Sequence, residues 1–259
     1  MFNLFCSLAP VWQALASSLF MWAMTAAGAA AVFLFRSTNK YVMMWMLGLS
    51  AGVMTAASFW SLLMPAAEMC EELGFSSSAV LTLGFFLGGA VLFFCDAAFA
   101  RCEKREKTRS AMLVFSVTLH NIPEGLCVGV AFGALAYGLP GASLAGAMLL
   151  ALGIGLQNFP EGTAVSVPLR REGVSRSRSF FWGQISGAVE PVSGVLGALL
   201  VMYVRTLLPF CLSFAAGAML YVVVEELIPE SQSGEKKDVM AIFTLIGFSF
   251  MMALDMIFS

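Results

Sequence analysis

The chain has 259 residues, 59% of them hydrophobic and only 12% charged, against about 25% charged in a soluble domain, which excludes a water-soluble globule. A formal net charge of -2 leaves no basic excess for holding nucleic acid. Long apolar runs that barely alternate exclude an outer-membrane barrel, whose strands read as alternating segments of roughly ten residues. Each span takes about 20 apolar residues, so eight spans joined by short turns nearly exhaust the chain. The predicted fold is therefore an all-α integral membrane protein, one polytopic domain over residues 1–259.

The first predicted helix, Pro10–Phe35, follows no positive residue and has its first flanking charge, Arg36, on its far side, so it reads as a span rather than a signal peptide. The second, Tyr41–Ala67, carries Ala51-Gly52-Val53-Met54 and then Leu63-Met64-Pro65. The third is Phe75–Cys95, followed by Asp96 and a basic connection at 101–109. The fourth, Ser110–Leu139, carries His120-Asn121-Ile122-Pro123-Glu124-Gly125. The fifth, Gly141–Leu169, carries Gln157-Asn158-Phe159-Pro160-Glu161-Gly162, the same motif thirty-seven residues later. The sixth, Ser179–Val204, holds Glu190 before Pro191. The seventh, Thr206–Val224, carries Ala216-Gly217-Ala218-Met219, with Glu225 and Glu226 at its end and Leu227-Ile228-Pro229 beyond. The eighth is Val239–Phe258. The connections are short and marked by Gly, Pro, Ser or charge.

Thirteen of the fourteen basic residues fall between helices one and two, three and four, five and six, or seven and eight; only Arg205 lies on the other side. The positive-inside rule puts those four connections in the cytoplasm and both termini outside, with the cell membrane as the expected host. The six cysteines form no Cys-x-x-Cys pair and read first as small packing residues, although Cys6 and Cys70 would share the outer side.

Ionisable groups inside spans cost about 2.5–3.5 kcal/mol or more, so each should have a partner or a task. His120 and Glu124 are four residues apart and Asn121 and Glu124 three, so all can face one neighbouring helix, and Gln157, Asn158 and Glu161 repeat the pattern. Proline at 123 and 160 removes a backbone donor, tolerable at membrane depth only against protein or a wet cavity. The expectation is a polar cavity between helices four and five. At a rise of 1.5 Å per residue, His120 and Glu161 lie about 15 Å from the cytoplasmic ends of their helices, Glu124 and Gln157 about 20 Å, and Glu190 about 16 Å. The groups thus converge near the midplane.

One imidazole, three carboxylates and several amide oxygens form a mixed N/O set without thiolate. It suits Zn²⁺, Fe²⁺, Mn²⁺ or Cd²⁺ better than Cu(I), and the imidazole disfavours Mg²⁺ and Ca²⁺. Glu124 and Glu161 are placed to bridge two ions. A bland reading makes these groups interhelical hydrogen-bond partners only; the repeat and Glu190 at matching depth weigh against it. Asp96, Glu225 and Glu226 read either as solvated helix ends or as a metal exit route. Glu68, Glu71, Glu72 and Asp255, on the outer side, are either solvated or concentrate cations at the mouth. The Gly52-to-Pro65 and Gly217-to-Pro229 echo, on helices of opposite direction, suggests an inverted repeat around helices four and five; chance similarity among Ala, Gly and Met competes with it.

The two hexapeptides, with Val167-Pro168-Leu169-Arg170-Arg171-Glu172-Gly173 and Gly187-Ala188-Val189-Glu190-Pro191, resemble the signatures of the ZIP divalent metal transporters, specifically their GufA-type branch. The resemblance extends over essentially the whole chain. It implies uptake of divalent transition metal, chiefly zinc, toward the cytoplasm. It also implies a binuclear site, with His120, Glu124, Gln157 and Glu161 for one ion and Asn121, Glu124, Asn158, Glu161 and Glu190 for the other. The family's second hexapeptide can carry aspartate where this chain has Asn158, and the His-rich loops common in the family are absent here. A homodimer is implied as well, with helices one, four, five and six moving against two, three, seven and eight, and with Asp96, Glu225 and Glu226 as exit ligands. The expected function is that of a secondary transporter working by alternating access, and not an enzyme. A selective metal pore is one alternative. An intramembrane metalloenzyme is another, disfavoured because the chain has one histidine and no His-Glu-x-x-His.

Overall fold

The computed structural model describes residues 5–34, 40–102, 109–137, 142–171, 173–203, 205–234 and 237–258, and among them there is no β-strand. The described residues form eight long helical segments, α1 Pro10–Leu34, α2 Tyr41–Leu73, α3 Ser77–Cys102, α4 Arg109–Ala134, α5 Leu144–Arg171, α6 Arg176–Val201, α7 Leu208–Ser231 and α8 Lys237–Phe258. Six of these, α1, α2, α3, α6, α7 and α8, are long and apolar enough to cross a membrane. The other two, α4 and α5, run to 26 and 28 residues and carry the polar hexapeptides.

Local chemistry sets several ends. Pro10 occupies the first turn of α1, where its missing N–H costs nothing. Gly74 ends α2 in the left-handed conformation at φ 71°, and Gly173 follows α5 at φ 93°. Both turns return two N–H groups to the last carbonyls, from Gly74 to Glu71 and Phe75 to Cys70, and from Gly173 to Arg170 and Val174 to Leu169. Ser175 caps α6 by accepting from the Arg178 N–H at 3.4 Å.

The second and seventh helices outrun the sequence expectation for one physical reason. They do not end at the predicted Ala67 and Val224, nor do Pro65 and Pro229 break them. Instead each proline follows a π-helical turn, Ser58–Leu63 in α2 and Val223–Leu227 in α7. The wider turn re-registers the ladder so that the proline is accommodated and the helix continues. Glu225 and Glu226 therefore sit on a helical turn rather than in a connection, and Glu68, Glu71 and Glu72 lie on the exposed last turns of α2.

The helices pack chiefly in four pairs, α1 with α5, α4 with α6, α2 with α8 and α3 with α7. Each pair closes over glycine, which lets backbones touch. A Cβ at Gly162 would overlap the Thr25 carbonyl oxygen, one at Gly125 would stand 2.5 Å from the Glu190 carbonyl oxygen, and Cβ atoms at Gly52 and Gly217 would overlap those of Thr244 and Phe85. Contacts of α2 with α5 and of α7 with α4 join the pairs around a core that includes Met21, Met54, Phe132, Leu150, Ile154, Met219 and Met251. Large apolar side chains such as Phe86, Phe94, Leu245 and Ile257 remain exposed on α3 and α8, as hydrocarbon contact requires. Cys6 and Cys70 are both free thiols.

Candidate metal centre

The polar hexapeptides lie in the middle of α4 and α5, which stay helical through Pro123 and Pro160. Antiparallel packing sets them side by side. Gln157 Nε2 donates to Glu124 Oε1 at 2.9 Å, the pairing that the helical rise predicts. Glu190 of α6 joins this pair as expected, and the cluster is wider than expected because α1 completes it. Asn158 Nδ2 donates to Glu190 Oε1 at 2.9 Å and reaches the Met21 carbonyl at 3.4 Å. Thr25 Oγ1, on α1, stands 3.3 Å from the same Glu190 oxygen. Asn121 Nδ2 donates at 2.9 Å to the Ser186 carbonyl, which the 3-10 turn Ser186–Ala188 of α6 presents just ahead of Glu190.

These contacts share one polarity. Every carboxamide spends its N–H on the protein and keeps its oxygen. Asn121 Oδ1, Glu124 Oε2, Gln157 Oε1, Asn158 Oδ1, Glu161 Oε2 and Glu190 Oε2 are all buried without a hydrogen-bond partner. A buried acceptor left unanswered costs about 1–3 kcal/mol, so six in one place call for a shared electropositive ligand. The carboxylates of Glu124, Glu161 and Glu190 act on one another through space, and no Lys or Arg occurs between residues 110 and 169 or between 179 and 204 to offset them. Their repulsion in a low-dielectric interior is large. Acceptor-only oxygens with net negative charge match a hard or borderline dication.

Among the described residues no three His, Cys, Asp or Glu side chains are gathered closely enough to hold a metal by themselves; the carboxamide oxygens of Asn121, Gln157 and Asn158 lie among the unpartnered acceptors. The backbone of His120 lies in α4, one residue before Asn121, and its side chain is outside the described residues. Asn121, Glu124, Gln157, Asn158, Glu161 and Glu190 are all buried.

The second acidic group lies beside the first. Glu226, half-buried on the π turn of α7, acts electrostatically on Glu161, and Glu225 interacts with Glu226 and with Asp96 of α3. Tyr221 hydrogen-bonds Asp96. Asp96, Glu225 and Glu226 thus lie within electrostatic range of one another, and Glu226 within range of Glu161. Of the acids expected on the outer side, Glu68, Glu71 and Glu72 are exposed, whereas Asp255 is buried and accepts from Ser61 Oγ at 2.8 Å. Solvation of Asp255 is thereby corrected: the π turn of α2 carries Ser61 against α8.

Thr25 was missed by the sequence reading because a threonine in a span is unremarkable by itself. One signal was available. Thr25 and Glu190 are 165 residues apart, the spacing that also separates Gly52 from Gly217.

Comparison with known proteins identifies the family. A family model described as ZIP zinc transporter matches residues 99–255, which include Asn121, Glu124, Gln157, Asn158, Glu161, Glu190, Glu225 and Glu226 but not Met21, Thr25 or Asp96. The chain is 36% identical to "Zinc transporter ZIP11" of Homo sapiens, over 95% of this chain and 97% of that protein, and 35% identical to its Xenopus tropicalis namesake over the same shares. It is 36% identical to "Zinc transporter GufA" of Myxococcus xanthus, over 81% of this chain and 84% of that protein. With apolar helices enough for a multi-pass membrane protein and family matches across nearly its whole length, this chain belongs to the ZIP zinc transporter family, whose members are named transporters and not enzymes.

Proposed function

We propose that the protein is a secondary transporter that carries divalent transition-metal ions, chiefly zinc, into the cytoplasm by alternating access through the buried centre of α1, α4, α5 and α6. The observation that carries this reading is the set of six orphaned oxygens around three carboxylates. Fe²⁺, Mn²⁺ and Cd²⁺ suit the same donors. Two ions are accommodated, one on the Glu124–Gln157 side with His120, the other on Asn121, Asn158 and Glu190, with Glu161 between. Protons compete with metal for such ligands, so protonation is the proposed discharge step. The adjoining acids Asp96, Glu225 and Glu226 form the proposed way out.

All eight helices cross the bilayer in this reading, with both termini outside, in the cell membrane. An inverted repeat relates α1, α2 and α3 to α6, α7 and α8, with α4 and α5 exchanged. It is supported by the packing, since that exchange turns the α1–α5 pair into α6–α4 and the α2–α8 pair into α7–α3. The paired π turns support it too. Exposed apolar faces on α3 and α8 suit the homodimer implied by the family.

Uptake of zinc into vesicles reconstituted with purified protein tests the reading. Saturable uptake is expected, and His120→Ala and Glu124→Ala should abolish or severely reduce it while inserting normally. Channel-like, non-saturating flux would replace the carrier with a pore. Unchanged uptake by either inserted variant would remove the assigned site.

A further inference from the structure

Beside the polar centre, on the far side of α4 and α6, runs an apolar groove of about 970 Å³. Its α6 wall is the helical stripe Trp182, Ile185, Val189, Val192 and Leu196. Two hydroxyls enter the lining, Thr118 and Ser193, and both are turned back on their own helices: Thr118 Oγ1 donates to the Val114 carbonyl at 2.6 Å and Ser193 Oγ to that of Val189 at 2.9 Å. Apart from the Trp182 indole the lining is apolar or has its hydroxyls turned back on the helices, so the groove takes hydrocarbon. It lies along helices of a membrane protein, and from Trp182 to Leu196 it runs about 21 Å along α6, deeper than one leaflet of a core about 30 Å thick.

One end is charged. The stripe continues one turn before Trp182 to Arg178, four residues earlier on the same face and exposed. Arg176, also exposed, is two residues further back. Arg170 is held beside this end, its Nη1 donating at 3.1 Å to the carbonyl of Val174, a lining residue. The segment from Arg170 to Arg178 carries four arginines against one acid, Glu172. Guanidinium pairs bidentately with phosphate, basic pockets between membrane helices take anionic headgroups, and tryptophan favours the headgroup level.

From this complementarity we infer that the α4–α6 groove seats an acyl chain of an anionic phospholipid whose phosphate is held by Arg178 and Arg176. The bound chain packs against Ile122 and Val189, the chain neighbours of Asn121 and Glu190, and so braces α4 against α6 behind the polar centre. The site is independent of the metal and of transport.

The test is quenching of Trp182 fluorescence by phospholipids brominated on the acyl chain, in vesicles of phosphatidylcholine holding equal small amounts of brominated phosphatidylglycerol or brominated phosphatidylcholine. Trp182→Phe isolates the signal of that residue. Brominated phosphatidylglycerol is expected to quench Trp182 at least twofold more than brominated phosphatidylcholine. The preference should vanish in the R176Q/R178Q variant and persist in K236Q/K237Q, which removes the same charge from another connection. Equal quenching by the two lipids, or a preference unchanged in R176Q/R178Q, would overturn the proposal. So would absence of quenching by either lipid, which would mean that a second copy or another polypeptide covers the groove.

Discussion

Gly162→Ala probes how closely the polar centre depends on backbone contact between α1 and α5. The new methyl would overlap the Thr25 carbonyl oxygen and stand 2.9 Å from the Ala29 nitrogen, where ordinary contact is 3.4–4 Å. Both neighbours are backbone, so no side chain can rotate away and the helices must separate by about 1 Å or more. Overpacking of this kind costs about 1–3 kcal/mol, which at about 2–4 °C per kcal/mol for a chain this long lowers the unfolding midpoint by several degrees. The same separation breaks the two longest contacts of the centre, Thr25 to Glu190 at 3.3 Å and Asn158 to the Met21 carbonyl at 3.4 Å. Zinc uptake should fall with stability. Gly153→Ala, on the same helix, meets only the Met251 Sδ and Cε at 2.8 and 2.9 Å, the end of a flexible side chain, and should be mild. Thermal unfolding in detergent and vesicle uptake, measured on both variants, decide the matter. A Gly162→Ala protein as stable and active as wild type, or a Gly153→Ala protein equally damaged, would refute the close-packing account.

Three further outcomes follow from the hydrogen bonds. Asn158→Asp replaces the donor to Glu190 with a second carboxylate; the metal-free midpoint should fall by several degrees while the zinc-induced rise grows, and equal zinc-induced rises would argue against an ion at this position. Thr25→Val, nearly isosteric, removes the hydroxyl beside Glu190; weakened zinc uptake with near-normal unfolding is expected, with recovery in Thr25→Ser, and no recovery would assign Thr25 to packing alone. Ser61→Ala deprives the buried Asp255 of its 2.8 Å donor at a cost of about 1–3 kcal/mol, and Asp255→Asn in the same protein should restore part of it in thermal unfolding.

The local features of this protein are legible in its sequence because helical geometry is local. Polar groups three and four residues apart share a face, and a 1.5 Å rise sets Glu124 level with Gln157, the pair found at 2.9 Å. Hydropathy likewise marks six helices able to cross a membrane. What lies opposite a face is not local. Thr25 and the Ser186 carbonyl join the centre only because α1 and α6 close on α5 and α4 over single glycines, and no periodicity distinguishes those faces from lipid-facing ones. The ends of α2 and α7 lie beyond those predicted because each helix continues through a π turn and past the proline that follows it. Asp255 is buried rather than solvated because Ser61, 194 residues away, is brought to it. Between membrane helices, partners are chosen by close packing and hydrogen bonding, with hydrocarbon on every other side, so the sequence alone decides which groups need a partner and the tertiary structure decides who the partner is.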